Sequence, residues 1–499
     1  MSGRPPAPPW TGWFLLNALG IRIHSDPASA VDVENLVGLA LRRNPKRAHL
    51  LVSRVLAKHV PTEPALVIAA GELLGAFVAQ ALAGSGQCGL GAGTGLPPGD
   101  GHSVRLAAQK LNEVLAHWTL PQERAGLISS LAEQVAGLRT HVPGAVVIGY
   151  AETATGLGRL VANALGAYYI HSTRHATPGV AHAAGFEEGH SHATSHLLVP
   201  TDPHWLQGNG PVILVDDELS TGSTVINTIR ELHALVPHST YVVAALIDLR
   251  SASDRERFDA LATELDCRIS VVALGAGSIE LGSDILARAA ELIDSLPRQA
   301  APAAHAAQPG RLSILEFTAA DITPVRSDRF GNKAPPAQET ISAVAGAVAG
   351  HLDGLESHVP VVVVGTEENM FLPLAIAAAL DTLRPDAGVR FSTTTRSPIV
   401  PVDRDDYAIA GALTFASHDL SADGPGTRFA YNLTGAGKRP GTIVVFPEPG
   451  TGISDLMCGS TPAGLPGLAT ALQAAADHVV VVLLPADYPT PHTSTEETP

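Results

Sequence analysis

The stretch VILVDDELSTGST, residues 212–224, runs from four apolar residues into two acids and then into a Ser/Thr/Gly loop. A short apolar run without polar alternation is a strand covered on both faces. The loop after it opens a helix predicted over Thr224–Leu235. Each part has a chemical use. Asp216 and Asp217, at a strand end, can accept hydrogen bonds from vicinal hydroxyls such as those of a ribose. Ser220, Thr221, Gly222, Ser223 and Thr224 bring N–H groups and hydroxyls to a helix N-terminus, a ready cradle for a phosphate. Gly222 permits close backbone approach or a positive φ. Acid pair and cradle together suit a ribose 5-phosphate. The plainer alternative is an Asp-rich turn with Thr224 near a helix N-cap.

Outward from this stretch, short β-branched runs alternate with helical patterns. Strands are predicted at Val146–Ile148, Tyr168–His171, Tyr241–Ile247 and Ile269–Leu274, with helices at about Gly158–Leu165 and Arg255–Leu265. This alternation indicates an α/β fold with a doubly wound parallel sheet, whose ligands gather at the C-terminal strand edge. The segments that directly follow strands are therefore the ones to read for function.

The 212–224 stretch closely resembles the phosphoribosyl-pyrophosphate (PRPP) loop of type I phosphoribosyltransferases. The family pattern is an apolar strand, two acids, three variable residues and Thr-Gly-x-Thr, matched here by Asp216, Asp217 and Thr221 to Thr224. The resemblance implies that the acids hold the ribose hydroxyls, the loop holds the 5-phosphate, and Mg²⁺ rides on the pyrophosphate. It departs in one place. Purine-using members often carry Asp just before Thr-Gly; Ser220 stands here, which makes a 6-oxopurine acceptor less expected.

Two further segments fall where such a fold needs them. In VVIGYAETATGLGRL, 146–160, the residues Thr153, Ala154, Thr155, Gly156 and Gly158 could offer N–H groups to a pyrophosphate. Glu152 could brace that loop or bind a Mg²⁺-bound water; an ordinary βα turn is the alternative. Residues 172–198 lie where the family places a flap that closes on the leaving group. They contain Arg174, His175, Glu187, Glu188, His190, His192 and His196, of which the arginine and histidines can neutralise or protonate a departing pyrophosphate. The spacing HSHATSH also admits metal ligation, although no complete ligand set accompanies it. The basic stretch 41–61, with Arg42, Arg43, Lys46, Arg47, Arg54 and Lys58, reads either as charges on a helix ending before Asn44-Pro45 or as groups near a phosphate or acceptor.

Residues 311–485 repeat the order of the first block. Val361–Val364 leads into GTEENMF as Val146–Ile148 leads into GYAETAT; RFSTTTRSPIV (390–400) parallels YYIHSTRHATPGV (168–180); and TIVVFPEPGTGISD (442–455) takes the place of the acid-pair stretch. A second α/β domain, as a diverged repeat, is expected. Phe446, Pro447, Glu448 and Pro449 stand where the acid pair would be, so a second PRPP site is not. Thr395-Arg396-Ser397-Pro398 resembles the eponymous motif of the TRSP domain, which follows a phosphoribosyltransferase domain in proteins linked to tellurite-resistance and stress gene clusters. Glu367, Glu368, Arg396 and Ser397 form either a second pocket or a structural cluster.

Composition sets the outer bounds. The 499 residues carry 32 Lys+Arg against 48 Asp+Glu, a net charge of −16, with 45% hydrophobic and 16% charged residues. Such a chain folds, and its acidity argues against a nucleic-acid partner. Cys88, Cys267 and Cys458 share no metal or disulfide spacing. No uncharged apolar run reaches membrane length and no signal peptide is evident, so a cytoplasmic protein with no membrane partner is expected. Residues 1–296 read as a phosphoribosyltransferase-like domain, 297–310 as an Ala/Pro-rich linker, and 311–499 as a TRSP-like domain with a flexible tail. The expected activity is Mg²⁺-dependent transfer of ribose 5-phosphate from PRPP to a nitrogenous acceptor, possible in a homo-oligomer. A PRPP or nucleotide sensor without turnover, or a nucleoside hydrolase or phosphorylase, would use similar contacts.

Overall fold

The computed structural model describes residues 13–44, 47–84, 101–116, 121–175, 182–187, 195–296, 309–353, 360–418, 426–434, 440–459 and 464–488. Most of the expected linker and all of the last eleven residues lie outside these. In chain order the strands of the first half are β1 (Arg22–Ser25), β2 (Val37–Arg42), β3 (His49–Ser53), β4 (Val146–Gly149), β5 (Tyr168–His171), β6 (Ala184–Glu187), β7 (Ser195–Leu198), β8 (Val212–Leu219), β9 (Thr240–Asp248) and β10 (Arg268–Glu280). Six of them form one sheet in the order β1-β10-β9-β8-β4-β5. All neighbours are parallel except β1, which closes the β10 edge antiparallel. The centre is apolar on both faces: Val212, Ile213, Leu214 and Val215 are all fully buried.

Between β4 and β8 the direction of winding reverses. β4 is followed outward by β5 on one side, whereas β8, β9 and β10 follow on the other. At such a switch point the connections leave the sheet in opposite directions, and a crevice opens at the strand ends. The loop after β4 and the acids near the end of β8 both lie there.

Helix Pro64–Gly84 is long and apolar enough to cross a membrane by length and composition, but 67% of its most apolar window is buried within the protein. Its Glu72 is buried and ion-paired to Arg139 at 2.7 Å. Against it packs helix Thr155–Leu165, which follows β4. The helices approach closely because Gly71 and Gly75 carry no side chain. A Cβ on Gly71 would lie 2.5 Å from Leu160 Cδ1, and one on Gly75 would lie 2.5 Å from Ala164 Cβ.

The basic stretch forms strands, not the helix considered for it. β2 and β3 pair antiparallel, Val37 opposite Ser53 and Leu41 opposite His49. In β2 the apolar residues are covered on both sides, as all of Val37–Leu41 are buried. A helix would have turned part of that run to solvent. The third strand of this small sheet is β14 (Ile399–Val400), contributed by the second half of the chain.

The remaining strands are β11 (Arg311–Glu316), β12 (Val361–Gly365), β13 (Arg390–Thr393), β15 (Ala412–Ala416), β16 (Thr427–Tyr431), β17 (Thr442–Phe446) and β18 (His478–Leu483). Five of them form a sheet in the order β11-β18-β17-β12-β13, parallel throughout, and β15 pairs with β16 antiparallel. The segment β13-β12-β17-β18 has the connectivity of β5-β4-β8-β9, and the hairpin β15–β16 holds the chain position of β6–β7. Matching contacts recur at matching places. Ser172 N donates to Gly149 O, as Thr394 N does to Gly365 O. Ala151 N donates to Ser172 Oγ, as Glu367 N does to Thr394 Oγ1. His175 N donates to Thr173 Oγ1, as Ser397 N does to Thr395 Oγ1. Thr173 bridges Leu197 as Thr395 bridges Phe429. One architecture is built twice, as the paired sequence segments suggested. At the outer edge the copies differ, since the chain-initial β11 lies beyond β18 where β10 lies beyond β9.

The close helix contact yields a test. Gly75→Val places a branched side chain against Ala164 Cβ, and overpacking of this kind costs about 1–3 kcal/mol. Differential scanning calorimetry should show a lower unfolding midpoint; an unchanged one would contradict the packing described.

Candidate functional site

The ribose-binding candidates occupy the last turn of β8 and the loop beyond it. The strand continues through Asp216, Asp217 and Glu218, all partly open to solvent, to the buried Leu219. Asp217 N donates to Asp216 Oδ1 at 2.9 Å. The enclosing structure, with Glu218 adding its negative charge, raises the Asp217 pKa; Asp216 and Lys58 oppose that rise. One face of the residue stays open, as a ligand-facing carboxylate requires. Arg47, from the β2–β3 connection, reaches Glu218 Oε1 at 2.5 Å. Glu218 and Asp217 therefore have cations, Arg47 and Lys58, supplied from the small sheet and its flank.

The loop turns sharply at Gly222, with φ +70°, into helix Ser223–Leu235. A side chain is excluded twice here. The backbone is left-handed, and a Cβ would meet Phe258 at 2.5 Å. Phe258 in turn stacks under Arg250, whose guanidinium lies 4.5 Å from the ring centroid and is ion-paired to buried Asp248 at 2.9 Å. Thr221 Oγ1 and Ser223 Oγ are 3.0 Å apart, and both terminal nitrogens of Arg257 reach Ser223 Oγ at 3.2 Å. The result is a hydroxyl-lined helix N-terminus with a half-exposed guanidinium beside it.

The loop after β4 faces this cradle across the switch point. Glu152 is buried, and Lys58 Nζ lies 2.8 Å from its Oε1. Thr153 is partly exposed, whereas Ala154 is buried at the start of the helix. Thr155, Gly156 and Gly158 are packing residues. Thr155 Oγ1 donates to Glu368 O at 2.9 Å. A Cβ on Gly156 would meet Met370 at 2.9 Å, and one on Gly158 would meet Tyr169 at 2.7 Å. The turn that faces the crevice is thus shorter than the 153–158 stretch read from sequence.

Of the flap, its base and the β6–β7 hairpin are described, while His190, His192 and Glu188 lie outside the described residues. Arg174 Nη2 is 3.0 Å from His196 Nε2, and His196 Nδ1 is 3.0 Å from Ser172 Oγ. Glu368, from the second half, accepts from Thr173 Oγ1 at 2.7 Å and Arg174 N at 2.9 Å, with His175 Nε2 at 3.7 Å. Burial alone would raise its pKa. The charges of His175, Arg329 and His171 and the Arg174 N–H instead hold it at about 2.

Of Glu367, Glu368, Arg396 and Ser397, Glu367 and Arg396 are paired; the Glu368 carboxylate turns instead to Thr173 and Arg174, and Ser397 follows Arg396 with its N–H on Thr395 Oγ1. Glu367 is buried between Arg396 Nε at 2.8 Å and Arg428 Nε at 2.5 Å. Arg396 Nε also lies 3.6 Å from Glu152 Oε2. At the position of the acid pair in the second sheet, Glu448 is ion-paired to Arg329 at 2.8 Å. Sequence reasoning left Lys58 and Arg47 undecided within the basic stretch and did not single out Arg257, Arg329 or Arg428. Only the fold carries these distant cations to the strand ends.

Residues 36–278 match the family model described as phosphoribosyl transferase, and residues 326–454 match the TRSP domain found C-terminal to it. The chain belongs to the phosphoribosyltransferase-like proteins that carry a C-terminal TRSP domain. No curated protein matches it. Similar solved structures include the adenine phosphoribosyltransferase of Trypanosoma brucei in complex with AMP, pyrophosphate and ribose-5-phosphate, at 17% identity over 30% of this chain and 68% of that one, TM-score 0.23. The APRTase of Giardia lamblia complexed with 9-deazaadenine shares 20% identity over 33% of this chain and 83% of its own, TM-score 0.22. The adenine phosphoribosyltransferase of Thermoanaerobacter pseudethanolicus shares 16% over 33% and 86%, also at TM-score 0.22.

The raised pKa of Asp217 has a consequence for stability. An acid whose pKa is higher in the folded state destabilises the fold once ionised, because the unfolded chain releases that proton at lower pH. The penalty is absent below the ordinary aspartate range, near ~3.9, and is complete above the folded-state value. Asp217→Asn should therefore raise the thermal midpoint at pH 7.5, and the gain should shrink as pH falls towards about 4. A lower midpoint at pH 7.5 would contradict this electrostatic picture.

Proposed function

We propose that the protein is a Mg²⁺-dependent transferase that moves ribose 5-phosphate from PRPP to a nitrogenous base or base-like acceptor and releases pyrophosphate. One observation carries the reading. The Asp216–Asp217 pair runs straight into the Thr221–Thr224 cradle at a helix N-terminus, on the switch point of a parallel sheet.

In the reaction an acceptor nitrogen bonds to the anomeric carbon while the bond from that carbon to the pyrophosphate oxygen breaks. Positive charge grows on the ribose ring and negative charge on the leaving group. Positioning and preorganised charge dominate such catalysis, and no covalent nucleophile is needed. Asp216 and Asp217 would hold the ribose hydroxyls close to the ring where positive charge develops. Ser220 to Thr224, with Arg257, would anchor the 5-phosphate. The turn at Glu152–Ala154 would receive the pyrophosphate. Arg174, held by His196, lies at the flap base, where a guanidinium opposes the charge of a departing anion.

Mg²⁺ takes oxygen ligands, commonly one or two carboxylates with substrate phosphates, and would offset charge on the pyrophosphate. The carboxylates at the end of β8 fit a cation brought in that way. Ser220, just before Thr221-Gly222, disfavours a 6-oxopurine acceptor.

A coupled pyrophosphate-release assay against a panel of bases separates the readings. Transfer requires both PRPP and acceptor, and Asp216→Asn/Asp217→Asn should slow it at least about tenfold, since lost charge-assisted hydrogen bonds cost ~1.5–3 kcal/mol each. Release without any acceptor would indicate a hydrolase. PRPP binding with no release under any acceptor would favour a sensor.

A further inference from the structure

The two copies of the fold dock with their switch points towards each other. Glu152 stands three residues after Gly149, the last residue of β4; Glu368 stands three residues after Gly365, the last residue of β12. Arg174 and Arg396 each stand three residues after the last residue of β5 or β13. Across the docking face each glutamate is met by the other copy's motif. Glu368 accepts from Thr173 Oγ1 and Arg174 N, and Glu152 faces Arg396 Nε at 3.6 Å. The TRSP-motif arginine thus enters the first domain's pyrophosphate-side turn.

We propose that Arg396 is a positioning residue for that turn, acting through Glu152, so that the second domain completes the pyrophosphate end of the first domain's site. The proposal rests on the PRPP reading above. Glu152 is held from two directions, by Lys58 at 2.8 Å and by Arg396. Lys58 also attracts Asp217, which ties the turn to the ribose acids. Arg396 is fixed in its own place by Glu367, which Arg428 anchors from behind at 2.5 Å. Glu152, Lys58 and Glu367 are buried and Arg396 is nearly so, so these charges interact with little screening and leave the turn one arrangement. Removing Arg396 leaves Glu152 to Lys58 alone, and the carboxylate is drawn towards the small sheet. The turn then moves, while the 5-phosphate cradle, built on β8 and Phe258, does not.

Full-length protein is titrated calorimetrically with two probes, ribose 5-phosphate and PRPP, each with Mg²⁺. Arg396→Met should weaken PRPP at least about tenfold, a loss of about 1.4 kcal/mol, and leave ribose 5-phosphate within about twofold. Glu152→Gln should do the same, and the Arg396→Met/Glu152→Gln double variant should be no worse than either alone, as coupled groups behave. Arg396→Lys, which keeps the charge and loses the guanidinium's spread, should recover part of the PRPP affinity. An unchanged PRPP-to-ribose-5-phosphate ratio in Arg396→Met, or losses that multiply in the double variant, would overturn the proposal. If Arg396→Met does not fold, the ratio in Arg396→Lys decides alone: a fall supports the proposal and an unchanged ratio overturns it. Wild-type protein that binds ribose 5-phosphate through the acid pair but binds PRPP no more tightly leaves the ribose site standing and removes this proposal. Wild-type protein that binds neither probe removes the PRPP reading and this proposal with it.

Discussion

The reversal of winding between β4 and β8 is the constraint on which the rest of the molecule depends. Two loops leave the sheet there in opposite directions, and a crevice opens between the turn after β4 and the acid-bearing end of β8. The fully buried Val212–Val215 run fixes the strand's position, so Asp216 and Asp217 come out at the lip of the crevice. Gly222 then turns the chain over Phe258, and the helix N-terminus points back at the same space. Local sequence, sheet topology and site chemistry all support the proposed ribose-phosphate site.

The second half of the chain is bound into this arrangement at several levels. β14 joins the small sheet beside β2, and Tyr407 OH both accepts from Leu41 N and donates to Val400 O, at 2.7 Å each. Buried Arg159, on the helix that follows β4, pairs with Asp328. Val67 and Leu160 belong to an apolar cluster otherwise built mainly from second-half residues. Removing the second half would expose that cluster and take away the Asp328 ion pair of Arg159 and the Glu368 carbonyl that accepts from Thr155 Oγ1. The copy has lost the acid pair, with Glu448 paired to Arg329 in its place, yet it kept the Thr-Arg motif that reaches across.

Much of this was legible in the sequence because it is written in local patterns. The strand runs around 146, 168, 212, 241 and 269 depend on neighbours in the chain; β4, β5 and β9 lie within a residue of their expected bounds, whereas β8 runs on through the acids to Leu219 and β10 to Glu280. The duplication was legible too, from the order of its motifs. What escaped was whatever depends on long-range pairing. Val37–Leu41 is apolar throughout, and only its pairing with β3 and β14 makes it a strand. Gly156 and Gly158 look like a phosphate loop in sequence, but Met370 and Tyr169 account for their missing side chains. Lys58 sits 94 residues from Glu152, and Arg396 is farther still; no spacing rule links them.

The most direct test of the account is a crystal structure of the protein soaked with PRPP and Mg²⁺. The account predicts the 5-phosphate against the N–H groups and hydroxyls of Thr221–Thr224, the ribose hydroxyls on Asp216 and Asp217, and the pyrophosphate towards the Glu152–Ala154 turn. A ribose phosphate bound away from the β4–β8 crevice, for example at the Glu448–Arg329 edge of the second sheet, would contradict it.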